Sequence, residues 1–257
     1  MIEGGTRLVG LLGQPVAGSL SPRMQNAAFA VRGLDWAYVP LEVPPEQLRE
    51  AVAGLTAHGF AGANVTIPHK EAALAVATDA SVAARAIGAA NTLTFADGRI
   101  EADNTDAPAL LAALPVTPRT ALVLGAGGSA RAAAFVLREA GAEVHVHNRA
   151  RERAERLAAD LGVQVAPEPG EADLLVNCTS VGLADPGRSP VEEVRAAVVI
   201  DLVYADRETA LIRQAKAKGA ITVDGLEILV RQGALSLTRW TGRPAPLDAM
   251  RAAVRAR

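Results

Sequence analysis

"RTALVLGAGGSARAAAFVLREAG", residues 119–141, decides how the chain is organised. An apolar run over residues 121–124 drives straight into glycines, and an alanine-rich stretch then closes at Gly141. That order predicts strand, tight turn, helix. Gly125, Gly127 and Ala130 fit G-x-G-x-x-G/A at the turn. The first glycine permits the turn, the second lets backbone approach a pyrophosphate, and the small third residue lets helix and strand pack closely. Unpaired N–H groups at the helix start then face an anion. A dinucleotide-binding unit is expected here.

The tip of the next strand, about 20 residues on, is where such units read the ribose. A carboxylate there suits NAD. This chain instead has Asn148 and Arg149, then Arg151 and Arg153. Guanidinium forks pair with a 2′-phosphate, which a carboxylate would repel. Arg151 also fits a solvated helix start, but a basic first turn opposes the helix dipole, and a bound anion makes sense of it. NADP is expected over NAD.

Outward from this unit, "AEVHVHNR", "ADLLVNCTS", "AAVVIDLVY" and "AITVDG" read as further strands. The first half repeats the alternation. "RLVGLLG", "WAYVPLEV" and "FAGANVTIP" are strand-like, while "SPRMQNAAFAVRG", "PEQLREAVAGLTAHG" and "HKEAALAVA" are helix-like, with Ser21 as the N-cap of the first and Gly33 as its stop. This β-α order calls for a parallel sheet covered by helices on both faces. Two α/β domains are expected, meeting near residues 103–118, with helical stretches from about Gln232 to the end left over.

Half the residues are hydrophobic and 21% are charged, as in soluble globular proteins. A net charge of −2 argues against a general nucleic-acid or anionic-membrane binder. No apolar run approaches the roughly 18 residues needed to cross a bilayer, and the start lacks signal-peptide features. The single Cys178 forms no internal disulfide, so a cytoplasmic setting is expected. His145 and His147 alternate on one strand face, but nothing nearby completes a ligand set, and no metal is expected.

Polar residues recur at strand ends in the first half: "GSLSPRMQN", "NVTIPHK", "GAANTL" and "DNTDA". Ligands bind at the carboxyl ends of strands in open α/β sheets. Ser19, Ser21, Asn64, Thr66 and Asn91 would line such a pocket with neutral donors and acceptors, which suits a polyhydroxylated carboxylate. Each alone is also an ordinary cap or turn former. Lys70 stands out because only Lys70, Lys216 and Lys218 of the 26 basic residues are lysines. Oxidising a secondary alcohol requires removal of its hydroxyl proton, and lysine can exchange a proton where arginine cannot. Asp106 could orient the ammonium and stabilise its charge.

Together with "LGAGGSARA", "NR", "NCTSVGL", "DLVY" and "LVRQGALSLTRWTG", these stretches resemble the shikimate dehydrogenase family in order and spacing over nearly the whole chain. The resemblance implies an N-terminal substrate domain, residues 1–103, with a mainly parallel sheet and with residues 232–257 packing back on it. It implies a Rossmann-type NADP-binding domain over 104–231 and a deep cleft between the two. Ser19 and Ser21 would hold the shikimate carboxylate. Asn64, Thr66, Lys70, Asn91, Asp106, Tyr204 and Gln232 would hold the ring hydroxyls and neighbouring atoms, with Lys70 as the acid/base group and Asp106 its partner. Gly125, Ala126, Gly127, Gly128 and Ser129 would cradle the pyrophosphate, and Asn148, Arg149 and Arg153 would read the 2′-phosphate. Thr179 joins the cofactor residues, and Leu202 and Gly225 would approach the nicotinamide half. The family pattern has histidine in place of Gly18 and Gln25, glycine in place of Ala102 and Ala107, and threonine in place of Ala150. None of these changes removes a polar residue named above.

The expected activity is reversible NADPH-dependent reduction of 3-dehydroshikimate to shikimate, by a monomer or homodimer. The alternatives are a quinate/shikimate dehydrogenase using NAD or NADP, and a catalytically silent relative that binds the same ligands.

Overall fold

The computed structural model describes residues 2–256. The chain divides into two compact units, Met1–Thr105 with Val230–Arg257, and Asp106–Leu229.

The first unit contains β1 (Arg7–Gly13), α1 (Ser21–Val31), β2 (Trp36–Glu42), α2 (Leu48–Ala57), β3 (Gly62–Val65), α3 (Lys70–Val76), β4 (Asp79–Ala80), α4 (Val82–Ile87), β5 (Thr92–Ala96) and β6 (Arg99–Asp103). Its sheet runs β2-β1-β3-β5-β6-β4. β1 pairs in parallel with β2 and β3, and β4 with β6. β5 is antiparallel to both β3 and β6. Simple β-α alternation does not predict that hairpin. Its turn is Asp97–Gly98, both at positive φ (50° and 72°), the dipeptide that matches the twist of two antiparallel strands. Leu12, Ala63, Val65 and Leu93 from the strands pack with Leu48, Val52 and Ala73 from α2 and α3. Truncating the fully buried Leu12 or Leu93 to alanine would cost about 2–5 kcal/mol.

Ser21 is not the cap of α1. The helix begins at Ser21 itself, with Leu20 in the cap position and no side-chain cap bond. Ser19 Oγ, two residues upstream, accepts from Ser21 N at 3.2 Å, and Pro22 has no N–H to satisfy. β3 is also shorter than expected. Thr66 lies just beyond it, its N–H donating to Leu12 O at 2.8 Å.

The second unit contains α5 (Asp106–Ala113), β7 (Thr120–Leu124), α6 (Gly128–Glu139), β8 (Glu143–His147), α7 (Arg151–Leu161), β9 (Gln164–Val165), β10 (Ala172–Asn177), β11 (Ala196–Asp201), α8 (Ala210–Ala217) and β12 (Ile221–Val223). Its sheet runs β12-β11-β10-β7-β8-β9, with every pairing parallel. This is the doubly wound dinucleotide order, and the strand order reverses between β7 and β10. Leu122, Leu124, Leu175 and Val199 pack with Leu211 and Ile212 of α8.

α9 (Gly225–Thr241) starts in the second unit and ends in the first, followed by α10 (Leu247–Arg255). It begins earlier than Gln232 because Asp224 caps it, Oδ1 accepting from Glu227 N at 3.0 Å. The Asp224 and Glu227 spacing is a capping signal written in "DGLE". Trp240 of α9 donates Nε1–H to Leu93 O at 2.9 Å, and α10 packs on α1. No helix among the described residues is long and apolar enough to cross a membrane.

Candidate active site

In the first unit the end of β3 delivers Asn64 to a buried polar cluster. Its Oδ1 accepts from Tyr38 Oη–H at 2.9 Å. Its Nδ2 lies 3.0 Å from Asn91 O, 3.1 Å from Thr92 Oγ1 and 2.9 Å from Ser236 Oγ, three acceptors for two hydrogens. Because Asn91 O can only accept, the amide orientation of Asn64 is determined. Asn91 is oriented the same way. Its Oδ1 accepts from Thr105 N at 2.7 Å, so Nδ2 donates to Thr105 Oγ1 at 2.9 Å and Gln232 Oε1 at 3.3 Å. Gln232 therefore turns its oxygen toward Asn91 and its N–H donors elsewhere. Ser236, one turn along α9, joins Thr92 at 2.9 Å.

The sequence-predicted Asn64, Asn91 and Gln232 are thus gathered from β3, the approach to β5, and α9. Lys70 opens α3, and its carbonyl accepts from Ala90 N at 2.8 Å, which ties it to the segment carrying Asn91. His69 is spent on structure, buried with Nε2 2.7 Å from Val43 O. Ser19 and Ser21 share one turn. Asp106, buried at the start of α5, and Tyr204 belong to the second unit.

In the second unit Gly125 has φ +109°, and a Cβ there would sit 3.1 Å from the Cys178 carbonyl group. Only glycine fits this turn. Gly127 caps α6 without a side-chain bond, and a Cβ on it would meet nothing within 4 Å. The start of this helix therefore offers open space beside Gly127, a cradle that fits a pyrophosphate. At the end of β8, Asn148 Nδ2 donates to Ala150 O at 2.9 Å. Arg151 pairs with Glu155 at 2.8 Å along its own helix, the solvated alternative. Arg149 and Arg153 are exposed and make no ion pair among the described residues.

Sequence reasoning missed a second buried cluster. Asn177 and Asp201 close β10 and β11. Asp201 Oδ1 accepts from Asn177 Nδ2 at 2.8 Å and Val203 N at 3.1 Å, and Oδ2 accepts from Thr209 Oγ1–H at 2.7 Å. Burial pushes the Asp201 carboxyl above its ordinary value, and those three hydrogen bonds oppose the shift. Asn177 Oδ1 accepts from Thr179 N at 3.0 Å and Thr179 Oγ1–H at 2.7 Å. A polar residue ending an apolar strand was the available signal, since both lie in "NCTSVGL" and "DLVY". Tyr38 and Ser236 gave no such signal. Among the described residues no three or more His, Cys, Asp or Glu side chains form a metal-binding group.

Residues 11–93 match the family model for the shikimate dehydrogenase substrate binding domain, 111–182 that for shikimate / quinate 5-dehydrogenase, and 225–255 that for the shikimate 5'-dehydrogenase C-terminal domain. The shikimate dehydrogenase (NADP(+)) of Symbiobacterium thermophilum is 46% identical over 98% of this chain and 94% of its own. The chain belongs to the shikimate dehydrogenase family. Another shikimate dehydrogenase (NADP(+)), from Anaeromyxobacter dehalogenans, is 48% identical across 100% of this chain and 99% of its own. A crystal structure of the Thermus thermophilus shikimate 5-dehydrogenase, in complex with NADP(H) and shikimate, superposes with a TM-score of 0.90. It is 42% identical and covers 97% of this chain and 99% of the other.

Proposed function

We propose that this chain reduces 3-dehydroshikimate to shikimate, reversibly, as an NADP-dependent oxidoreductase. The observation that carries the reading is the near end-to-end likeness to a structure holding both NADP(H) and shikimate. The α6 cradle and the unpaired Arg149 and Arg153 fit the cofactor's pyrophosphate and 2′-phosphate.

NADPH, when bound, supplies the hydride for the C3 carbonyl carbon. Lys70 donates the proton to the carbonyl oxygen, and takes it back in the oxidative direction. Asp106 orients that ammonium. Ser19 and Ser21 hold the carboxylate, while Asn64, Asn91 and Gln232 meet the ring hydroxyls with their amide orientations already determined. Such preorganisation lowers the cost of ordering the site as the substrate arrives.

Purified protein mixed with shikimate and NADP should generate NADPH absorbance. Quinate and NAD, run in parallel, test the broader alternatives. No absorbance with any combination would leave a silent ligand-binding relative.

A further inference from the structure

We infer that Asp201 is a positioning residue for the cofactor, locking the loop at 178–181, which carries the cofactor residue Thr179, and the loop at 202–204, which carries Leu202, expected beside the nicotinamide half. The inference rests on the NADP reading above and extends it to a residue with no assigned role.

Asp201 is 1% exposed and makes no ion pair among the described residues. A carboxylate in that position is costly unless its oxygens are filled by donors. Here they are filled by Asn177, Val203 N and Thr209. An ionised carboxylate only accepts, so it draws Asn177 Nδ2 toward itself and turns Asn177 Oδ1 toward Thr179. Thr179 then points its hydroxyl hydrogen at Asn177, and its oxygen accepts from Val181 N at 3.1 Å. The hydrogen bonds from Val181 N to Thr179, from Thr179 to Asn177 and from Asn177 to Asp201 run toward the charge, and Asn177 Nδ2 also lies 3.4 Å from Val181 O, its longer and weaker acceptor.

The second loop hangs on the same pair. Leu202 N donates to Asn177 O at 3.0 Å, and Val203 N donates to Asp201 itself. On its other side a Cβ at Gly225 would come within 2.6 Å of Leu202 O and 2.7 Å of Val203 O. The 202–203 backbone is therefore clamped between the Asp201 carboxylate and the start of α9. Both loops lie at the carboxyl ends of β10 and β11, the edge where doubly wound sheets bind ligands. An apolar residue would fill this interior at lower cost. A charge that sets the direction of every bond around it is suited to holding Thr179 and Leu202 in one geometry.

The test is calorimetric binding of NADP and, separately, of adenosine 2′,5′-bisphosphate, which carries the adenine half alone. The full-length chain, Asp201→Asn and Asn177→Ala are compared. Asn at 201 removes the charge and keeps one acceptor oxygen, so an N–H replaces the oxygen that receives either Asn177 and Val203 N or the Thr209 hydroxyl. Ala at 177 cuts the link to Thr179 but leaves the carboxylate two donors, and so keeps the test open should Asp201→Asn not fold. Each variant should bind NADP about tenfold more weakly, the scale of a charge-assisted hydrogen bond, while bisphosphate affinity stays within about twofold. Unchanged NADP affinity, or equal losses for both probes, overturns the positioning role. If the unsubstituted chain binds neither probe, the cofactor reading falls and the positioning role falls with it.

Discussion

The two units solve the same problem with different chemistry. In the first, Tyr38, Asn64, Asn91, Thr92, Thr105, Gln232 and Ser236 are all neutral, and the backbone groups Asn91 O and Thr105 N set the direction of the bonds. In the second, the buried Asp201 carboxylate sets it. Backbone groups are always present and never titrate, so the first arrangement is insensitive to the loss of any one hydroxyl. A carboxylate gives stronger bonds but concentrates the arrangement in one group that burial already penalises.

Neither network is asked to move a proton, and Lys70 provides the sharpest check of that division. Lys70→Ala should lower kcat by about 10²-fold or more, with a smaller effect on KM, as for loss of a general acid. Unchanged kcat would mean that a proton leaves by another group, and the networks would become candidates.

Arg149 lies outside both networks, and its effect should be next in size. Arg149→Ala should raise the KM for NADP about tenfold, the scale of a charge-assisted bond to phosphate, and leave that for NAD nearly unchanged. Equal changes in the two would show that Arg149 does not read the 2′-phosphate.

The comparison also shows which features a sequence displays. The second unit was legible because its glycine turn carries the constraint locally: Gly125 needs positive φ and no Cβ, whatever else the chain does. The first unit was read as β-α repeats, although Asp97–Gly98 announces a hairpin in two residues. β4 and β9 are two residues long, too short for any periodicity to appear. At the site, Asn64 and Asn91 were visible as polar residues at strand ends, whereas Gln232, inside α9, was visible only through the family resemblance. Tyr38 and Ser236 were not, because their bonds to Asn64 span 26 and 172 residues and exist only once the sheet and α9 are assembled.

Removing one neutral hydroxyl tests how evenly the first network shares its load. Tyr38→Phe deletes the donor to Asn64 Oδ1 but leaves Asn91 O to hold the amide. The KM for shikimate should rise only about threefold, one ordinary hydrogen bond, with the KM for NADP unmoved. A rise of about 10²-fold would make Tyr38 the counterpart of Asp201 and erase the contrast.

The smallest effect is a slope. Burial holds the folded-state pKa of Asp201 above its ordinary 3.8, so the folded chain binds this proton more tightly than the unfolded one. Between 3.8 and the higher folded value, stability contributed by this group falls as pH rises, and the penalty persists at neutrality. The exposed Asp79, Asp173 and Glu193 are shifted down by their partners and act in the opposite sense. They are common to both proteins when Asp201→Asn is compared with the unsubstituted chain, so urea unfolding of the two from about pH 4 to pH 7 isolates Asp201. The stability of Asp201→Asn relative to the unsubstituted chain should increase as pH rises through that window. A difference that shrinks with rising pH would mean that the three donors outweigh burial, and that the second network gains stability from its charge.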